Sequence, residues 1–140
     1  MKTVVMYYSY SGITRKLATR LAKSSGGGLV EMKDVKKPGK LYAYTVGCFA
    51  AAKQRRARLA PVTNSLAKFD RIVFCAPVWA GFPAPAFNNM VDMLPEGKAV
   101  EVYLVSGGGK TGCEPKVRAL IEGRKCTLAK LENIKQTEVK

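Results

Sequence analysis

Apolar positions recur along the chain with two periods. Residues 3–8 (TVVMYY), 72–76 (IVFCA) and 100–105 (VEVYLV) are short runs rich in β-branched and aromatic side chains, each bounded by turn residues. They read as strands in the interior of a sheet. Between them, Ile13, Leu17 and Leu21 recur at intervals of four, and Met90, Val91 and Leu94 follow Phe87 at three, four and seven. These are the spacings of helices with one apolar stripe. Pro85 and Pro115 stand where a first-turn proline is tolerated, and Gly123 follows the stripe Val117, Leu120, Ile121 as a helix-ending residue should. Weaker strands at 29–33 and 126–131 bring the expectation to five strands, with a helix candidate in each of the four intervals. Strands alternating with helices predict an α/β fold on an open parallel sheet. No internal repeat is visible, and SSGGG at 24–28 has the length of a helix-to-strand loop, so the expectation is a single domain over 1–140.

Composition narrows this picture. A chain of 140 residues with 47% apolar content can bury a core, which argues against disorder. No apolar run approaches the roughly 18 residues needed to span a bilayer, and the start MKTVVMYYSYSG lacks a signal peptide's long apolar centre, so a cytoplasmic location is expected. Cys48, Cys75, Cys113 and Cys126 form no C-x-x-C pair and the chain has no histidine, which leaves zinc ligation and disulfide stapling poorly supported. Histidine-dependent catalysis is excluded. The net charge of +14 favours acidic partners, nucleic acid or anionic surfaces through long-range attraction.

Candidate chemistry concentrates in three turns. The stretch YYSYSGITRKL at 7–17 interrupts a hydrophobic run with an uncharged Ser/Gly/Thr turn just before a basic helix. Ser9, Ser11 and Thr14 supply hydroxyls, Gly12 lets the main chain approach closely, and the helix beginning near Ile13 directs free N–H groups back at the turn. A terminal phosphate fits such a turn. The bland alternative, with Ser11 merely capping the helix, weighs about equally when this turn is taken alone. CAPVWAGFPAP at 75–85 places the only tryptophan, Trp79, among small or rigid residues at the carboxyl edge, where a flat ligand could stack on it. VSGGGKTGC at 105–113 offers three consecutive glycines, whose amides a ligand can reach without side-chain obstruction. In an open parallel sheet all three turns leave the carboxyl ends of strands, where ligands bind.

Together, Ser-x-Ser-Gly-x-Thr after the first strand, APVWAG after the third and SGGG after the fourth resemble a short-chain flavodoxin over nearly the whole chain. The resemblance implies a three-layer, open, parallel five-stranded sheet in the order 2-1-3-4-5, and FMN as cofactor. It implies that Ser9, Tyr10, Ser11, Gly12, Ile13 and Thr14 hold the phosphate and that Trp79 covers one ring face. Pro77, Val78, Ala80 and Gly81, with Ser106, Gly107, Gly108 and Gly109, would line the rest of the ring. The function implied is a redox protein carrying electrons between protein partners. The alternatives are an FMN-dependent NAD(P)H or quinone reductase and, less favoured, a basic protein of this fold that binds nucleic acid or another polyanion.

Departures from the family bear on partners. Flavodoxins are generally acidic, so with +14 this chain's redox partner proteins are expected to be acidic instead. The glycine turn lacks the aromatic that many members place over the second ring face, leaving it more open to substrate; Tyr10 or Phe82 could substitute. Only residues 132–140 follow Leu131, too few for a closing helix, so one sheet face is left for the 42–60 segment or for a second copy in a homodimer. Other motifs read more plainly. GGGKTG imitates a nucleotide-binding loop but would need glycine where Leu104 stands. KQRRAR at 53–58 is more simply a solvated helix end than a nucleic-acid patch. Cys113 opens a helix, yet single cysteines are mostly packing residues, and Asp92 and Glu96 have the spacing of ordinary surface carboxylates.

Overall fold

The structure, a computed structural model, describes residues 2–34, 59–60, 62 and 65–139. Along the chain run β1 (Thr3–Tyr7), α1 (Ile13–Ser25), β2 (Gly28–Glu31), β3 (Arg71–Trp79), β4 (Phe82–Pro83), α2 (Ala86–Asp92), β5 (Ala99–Ser106), α3 (Glu114–Glu122), β6 (Thr127–Lys135) and a short 3-10 turn at Gln136–Glu138. The sheet order is β2-β1-β3-β5-β6, with every pair on this path parallel, and the two-residue β4 folds back antiparallel on the end of β3. With that ribbon set aside, the order is the expected 2-1-3-4-5. Residues 35–58, which include Cys48, KQRRAR and most of the 42–60 segment, lie outside the described residues.

Alternation along the strands builds three layers. Val4 and Met6 of β1 face one side with Ile72, Phe74 and Ala76 of β3 and meet Phe87, Met90 and Val91 of α2 and Val117 and Ile121 of α3. Val5 and Tyr7 face the other side with Val73 and Cys75 and meet Leu17, Ala18 and Ala22 of α1. Burying one Leu or Phe in such a layer stabilises by roughly 1.5–3 kcal/mol. The expected punctuation is in place: Pro85 is the N-cap of α2, Pro115 lies in the first turn of α3, and Gly123 is its C-cap. The SSGGG stretch closes α1 with paired hydrogen bonds, Gly27 N–H to Ala22 carbonyl at 2.9 Å and Gly26 N–H to Lys23 carbonyl at 3.4 Å.

Three departures from the sequence expectation stand out. β3 runs to Trp79, so Pro77, Val78 and Trp79 are strand residues rather than loop residues, held there because Val78 and Trp79 pair with Pro83 and Phe82. β6 extends to Lys135 through a bulge: Val100 pairs with Leu128 but Glu101 with Lys130, so Ala129 is the extra residue and both Leu128 and Leu131 reach the same core. The third concerns the face on which the described residues place no closing helix beyond α1. Tyr103 and Val105 there are only 5% and 4% exposed, with Ile134 and Val139 packed against their cluster. Among the described residues the only exposed large hydrophobic is Leu29, so an open apolar face, the sequence's reason for a homodimer, is not found there.

Candidate functional site

At the carboxyl edge the chain leaves β1 through Tyr8, Ser9, Tyr10 and Ser11 and enters α1 at Gly12. Gly12, not Ser11, is the N-cap; it has φ of 98° and there is no side-chain cap hydrogen bond. Ser9 Oγ accepts the Gly12 N–H at 3.0 Å, which folds the turn on itself, while Ser11 is exposed. The amides opening α1 are therefore not taken by a capping side chain, which is the chemistry an anion requires. Thr14 packs into the first turn at 2% exposure, and Ile13 is half-buried beside it. A cavity of about 280 Å³ lies against this turn, bounded by Ser9, Ser11 and Gly12 on one side and Glu31 and Lys33 on the other.

The same device recurs after β5. Ser106 Oγ accepts the Gly109 N–H at 2.8 Å, and Gly109 has φ of 74°. The spacing Ser-x-x-Gly is thus shared by 9–12 and 106–109, a signal present in the sequence. Gly107 and Gly108 are exposed, and a Cβ added to either would meet nothing within 4 Å. Gly109, by contrast, lies against β6, where an added Cβ would come within 3.1 Å of the Lys135 Cβ.

Between these turns sits an aromatic cluster. The Trp79 ring is half-buried, with Tyr8 at 6.1 Å and Tyr10 at 5.9 Å, both edge-on. The turn joining Trp79 to Phe82 passes through Ala80 at φ 53° and Gly81 at φ 82°. A non-glycine residue in that region costs roughly 1–2 kcal/mol, strain of the kind that collects at ligand sites. Lys116, in the first turn of α3, places its ammonium 4.6 Å from the centre of the Phe82 ring.

The supporting polar groups were not legible in the sequence, because their partners come from distant positions. Tyr8 donates its hydroxyl to Asp34 at 2.7 Å; burial first, and Asp34 second, push that phenol far above its ordinary value, so it stays protonated. Arg15 donates to Glu31 at 2.6 Å and to the Tyr7 hydroxyl at 3.3 Å, tying α1 to β1 and β2. Cys75 is buried in β3 and desolvation pushes its thiol up to about 12, so it is no nucleophile. Cys113 is 3% exposed, with Thr111 Oγ1 3.1 Å from its sulfur, and reads as a packing residue. The described residues hold no cluster of metal-ligating side chains, and no described helix is long and apolar enough to cross a membrane.

A parallel sheet in this order, with an uncapped helix start, an aromatic ribbon and an open glycine turn on one edge, defines a flavodoxin-like fold. Solved structures agree on that fold. A flavoprotein of Lactobacillus acidophilus NCFM in complex with FMN aligns at a TM-score of 0.74 with 19% identity, covering 93% of this chain and 91% of that one. An NADH:FMN oxidoreductase in its apo form aligns at 0.59 with 15% identity, covering 98% and 77%. A short-chain flavodoxin associated with a non-canonical PDU bacterial microcompartment aligns at 0.52 with 14% identity, covering 96% and 84%. A comparison with curated protein sequences gives no match. Residues 1–122 match the NADPH-dependent FMN reductase family, and the chain belongs to that family.

Proposed function

We propose that this chain is an FMN-dependent oxidoreductase that takes electrons from a reduced pyridine dinucleotide and passes them to a second substrate. The sequence resemblance placed an electron carrier first and a reductase second; membership of the NADPH-dependent FMN reductase family over 1–122 supports the opposite order. The observation that carries the reading is the glycine turn, where Gly107 and Gly108 stand exposed with open space around them and no aromatic side chain in the turn. A donor can reach a ring bound beside such a turn.

The residues present fit FMN. The uncapped start of α1, with Ser9, Tyr10, Ser11, Gly12, Ile13 and Thr14, offers amides and hydroxyls to a phosphate dianion. Trp79, with Pro77, Val78, Ala80 and Gly81, offers an aromatic surface and main-chain groups for the ring, and Ser106, Gly107, Gly108 and Gly109 offer unobstructed amides for its edge. Bound FMN supplies the hydride-accepting and electron-releasing chemistry. The chain's own task is to orient that ring, exclude water from one face and leave the other approachable, which needs no acid or base side chain and no histidine. We take residues 1–140 as one domain, and the cytoplasm, where thiols stay reduced, suits the free Cys75, Cys113 and Cys126. The carrier reading stays as the second, favoured by the likeness to a short-chain flavodoxin and by a net charge of +14, which suits acidic partner proteins.

The test is to load the protein with FMN and follow oxidation of NADPH and NADH, with a quinone or oxygen as acceptor. Turnover well above that of free FMN is expected. Turnover no faster than free FMN, with the reduced protein still passing electrons to a partner protein, would leave the carrier reading in its place.

A further inference from the structure

Tyr8 carries a hydroxyl that packing alone does not require. The residue follows β1, is 3% exposed, and belongs to the same core as Phe74 and Phe87, where a phenylalanine ring would fill the same place. Its hydroxyl instead donates to Asp34 at 2.7 Å, across 26 positions of sequence. Both ends of that bond are anchored. The Tyr8 N–H continues the β1–β3 ladder by donating to the Cys75 carbonyl at 3.1 Å. Asp34 forms an antiparallel bridge with Leu59, beside a 2.7 Å hydrogen bond from the Ala60 N–H to the Lys33 carbonyl. With its main chain and its hydroxyl both held, the Tyr8 ring keeps one direction. That ring meets the Trp79 indole in a T-shaped contact, with centres 6.1 Å apart and planes at 81°. Asp34, Tyr8 and Trp79 thus form one chain of contacts from beyond the end of β2 to the aromatic ribbon.

A hydroxyl–carboxylate bond gives direction to a ring that apolar contacts only surround, and an indole in edge contact with that ring inherits the direction. We propose that Tyr8, held by Asp34, positions the Trp79 indole for stacking on the flavin ring, so that a carboxylate beyond the end of β2 sets how tightly the ring is held. The inference rests on the reading of Trp79 as the aromatic surface for that ring, and it adds two residues that sequence spacing did not mark. Tyr8 and Asp34 are positioning residues, which act on the ligand through Trp79. Their effect falls on the ring half of the ligand and is therefore the same for FMN and for riboflavin. A disturbance of the phosphate turn at 9–14 would weaken FMN and spare riboflavin.

The test titrates the flavin-free full chain with FMN and with riboflavin, reading affinity from flavin fluorescence and ring placement from the emission of the single tryptophan. The variants are Tyr8→Phe, Asp34→Ala, Asp34→Asn and Trp79→Ala, with Tyr8→Phe also made in the Trp79→Ala background. Tyr8→Phe and Asp34→Ala are expected to weaken both ligands equally, by about fivefold. Asp34→Asn, whose amide oxygen still accepts the Tyr8 hydroxyl, should cost about twofold or less. In the Trp79→Ala background, adding Tyr8→Phe should change affinity by less than about twofold, because the indole through which it acts is gone. Three results overturn the proposal: affinities of Tyr8→Phe and Asp34→Ala equal to that of the wild type, a loss confined to FMN, or the same loss from Tyr8→Phe with and without Trp79. Asp34→Ala takes the place of Tyr8→Phe in every comparison if Tyr8→Phe does not fold. Any of those three results alongside quenched tryptophan emission in the wild type fells the proposal alone; FMN binding without quenching fells the placement of the ring at Trp79 and the proposal with it.

Discussion

Gly12 holds φ at 98° with nothing within 4 Å of the place a Cβ would occupy. A side chain there would meet no collision; its cost is the left-handed backbone, roughly 1–2 kcal/mol. That conformation aims the opening amides of α1, so strain and lost anion binding should appear together. Gly12→Ala is expected to lower stability in urea by about 1–2 kcal/mol and to weaken FMN more than riboflavin, because riboflavin lacks the phosphate. Equal weakening of both ligands would remove the phosphate from this turn. The sequence pointed to Gly12 through its company of Ser and Thr, but it suggested close approach as the reason and Ser11 as the rival cap. Which residue caps the helix depended on where the chain turns, and Ser9 Oγ, by taking the Gly12 N–H, settled that locally.

Among the elements, β3 and β5 carry a charged pair on the face of the sheet that Val73 and Tyr103 share. Arg71 donates two hydrogen bonds to Glu101, the second at 2.9 Å, and the two side chains are 35% and 15% exposed. The Arg71 hydrogen bonds hold the Glu101 carboxyl below its ordinary value, against the opposing effect of burial. A carboxyl depressed in the folded state contributes stability that is fully present above its ordinary value of 4.5 and is lost as pH falls through the lower folded value. Stability should therefore decline in acid, below about pH 5, more steeply in the wild type than in Glu101→Gln, which should also be less stable near neutrality because Arg71 loses its ionised partner. Urea unfolding at a series of pH values reads both effects; parallel acid limbs for the two proteins would mean the pair contributes nothing. The sequence showed the strands and their order of occurrence, but neither this pair, which joins positions 30 apart, nor the bulge at Ala129, which appears only when β6 is laid beside β5.

At the scale of the whole molecule, +14 separates into charges with partners and charges without. The outer face of α1 carries Lys16, Arg20 and Lys23, and the helix contains no acidic residue. Such exposed charge acts over the Debye length, about 8 Å at physiological ionic strength, and so affects encounter more than affinity. If it serves a partner, electron transfer from the reduced protein to an acidic acceptor protein should slow steeply with added salt, and replacing those three residues with glutamine should lower the rate and flatten the salt dependence. A flat response in the wild type would assign the charge to solvation alone. Binding to DNA or RNA would instead appear as an affinity falling linearly with the logarithm of salt concentration.

The sequence by itself determined the alternation of strands and helices, the parallel sheet, and the three turns from which a site could be built. These follow from local rules: the two periods of apolar residues, the placement of proline and glycine, and the clustering of small polar residues where strands end. Only the tertiary structure decided that Trp79 belongs to a strand braced by Phe82, that Tyr8 and Tyr10 flank it, and that Lys116 reaches the same ribbon from a helix 34 positions later. Those facts depend on register and on which side chains meet across the sheet edge. The local period of a sequence does not encode such meetings, because they are fixed by packing between segments far apart along the chain.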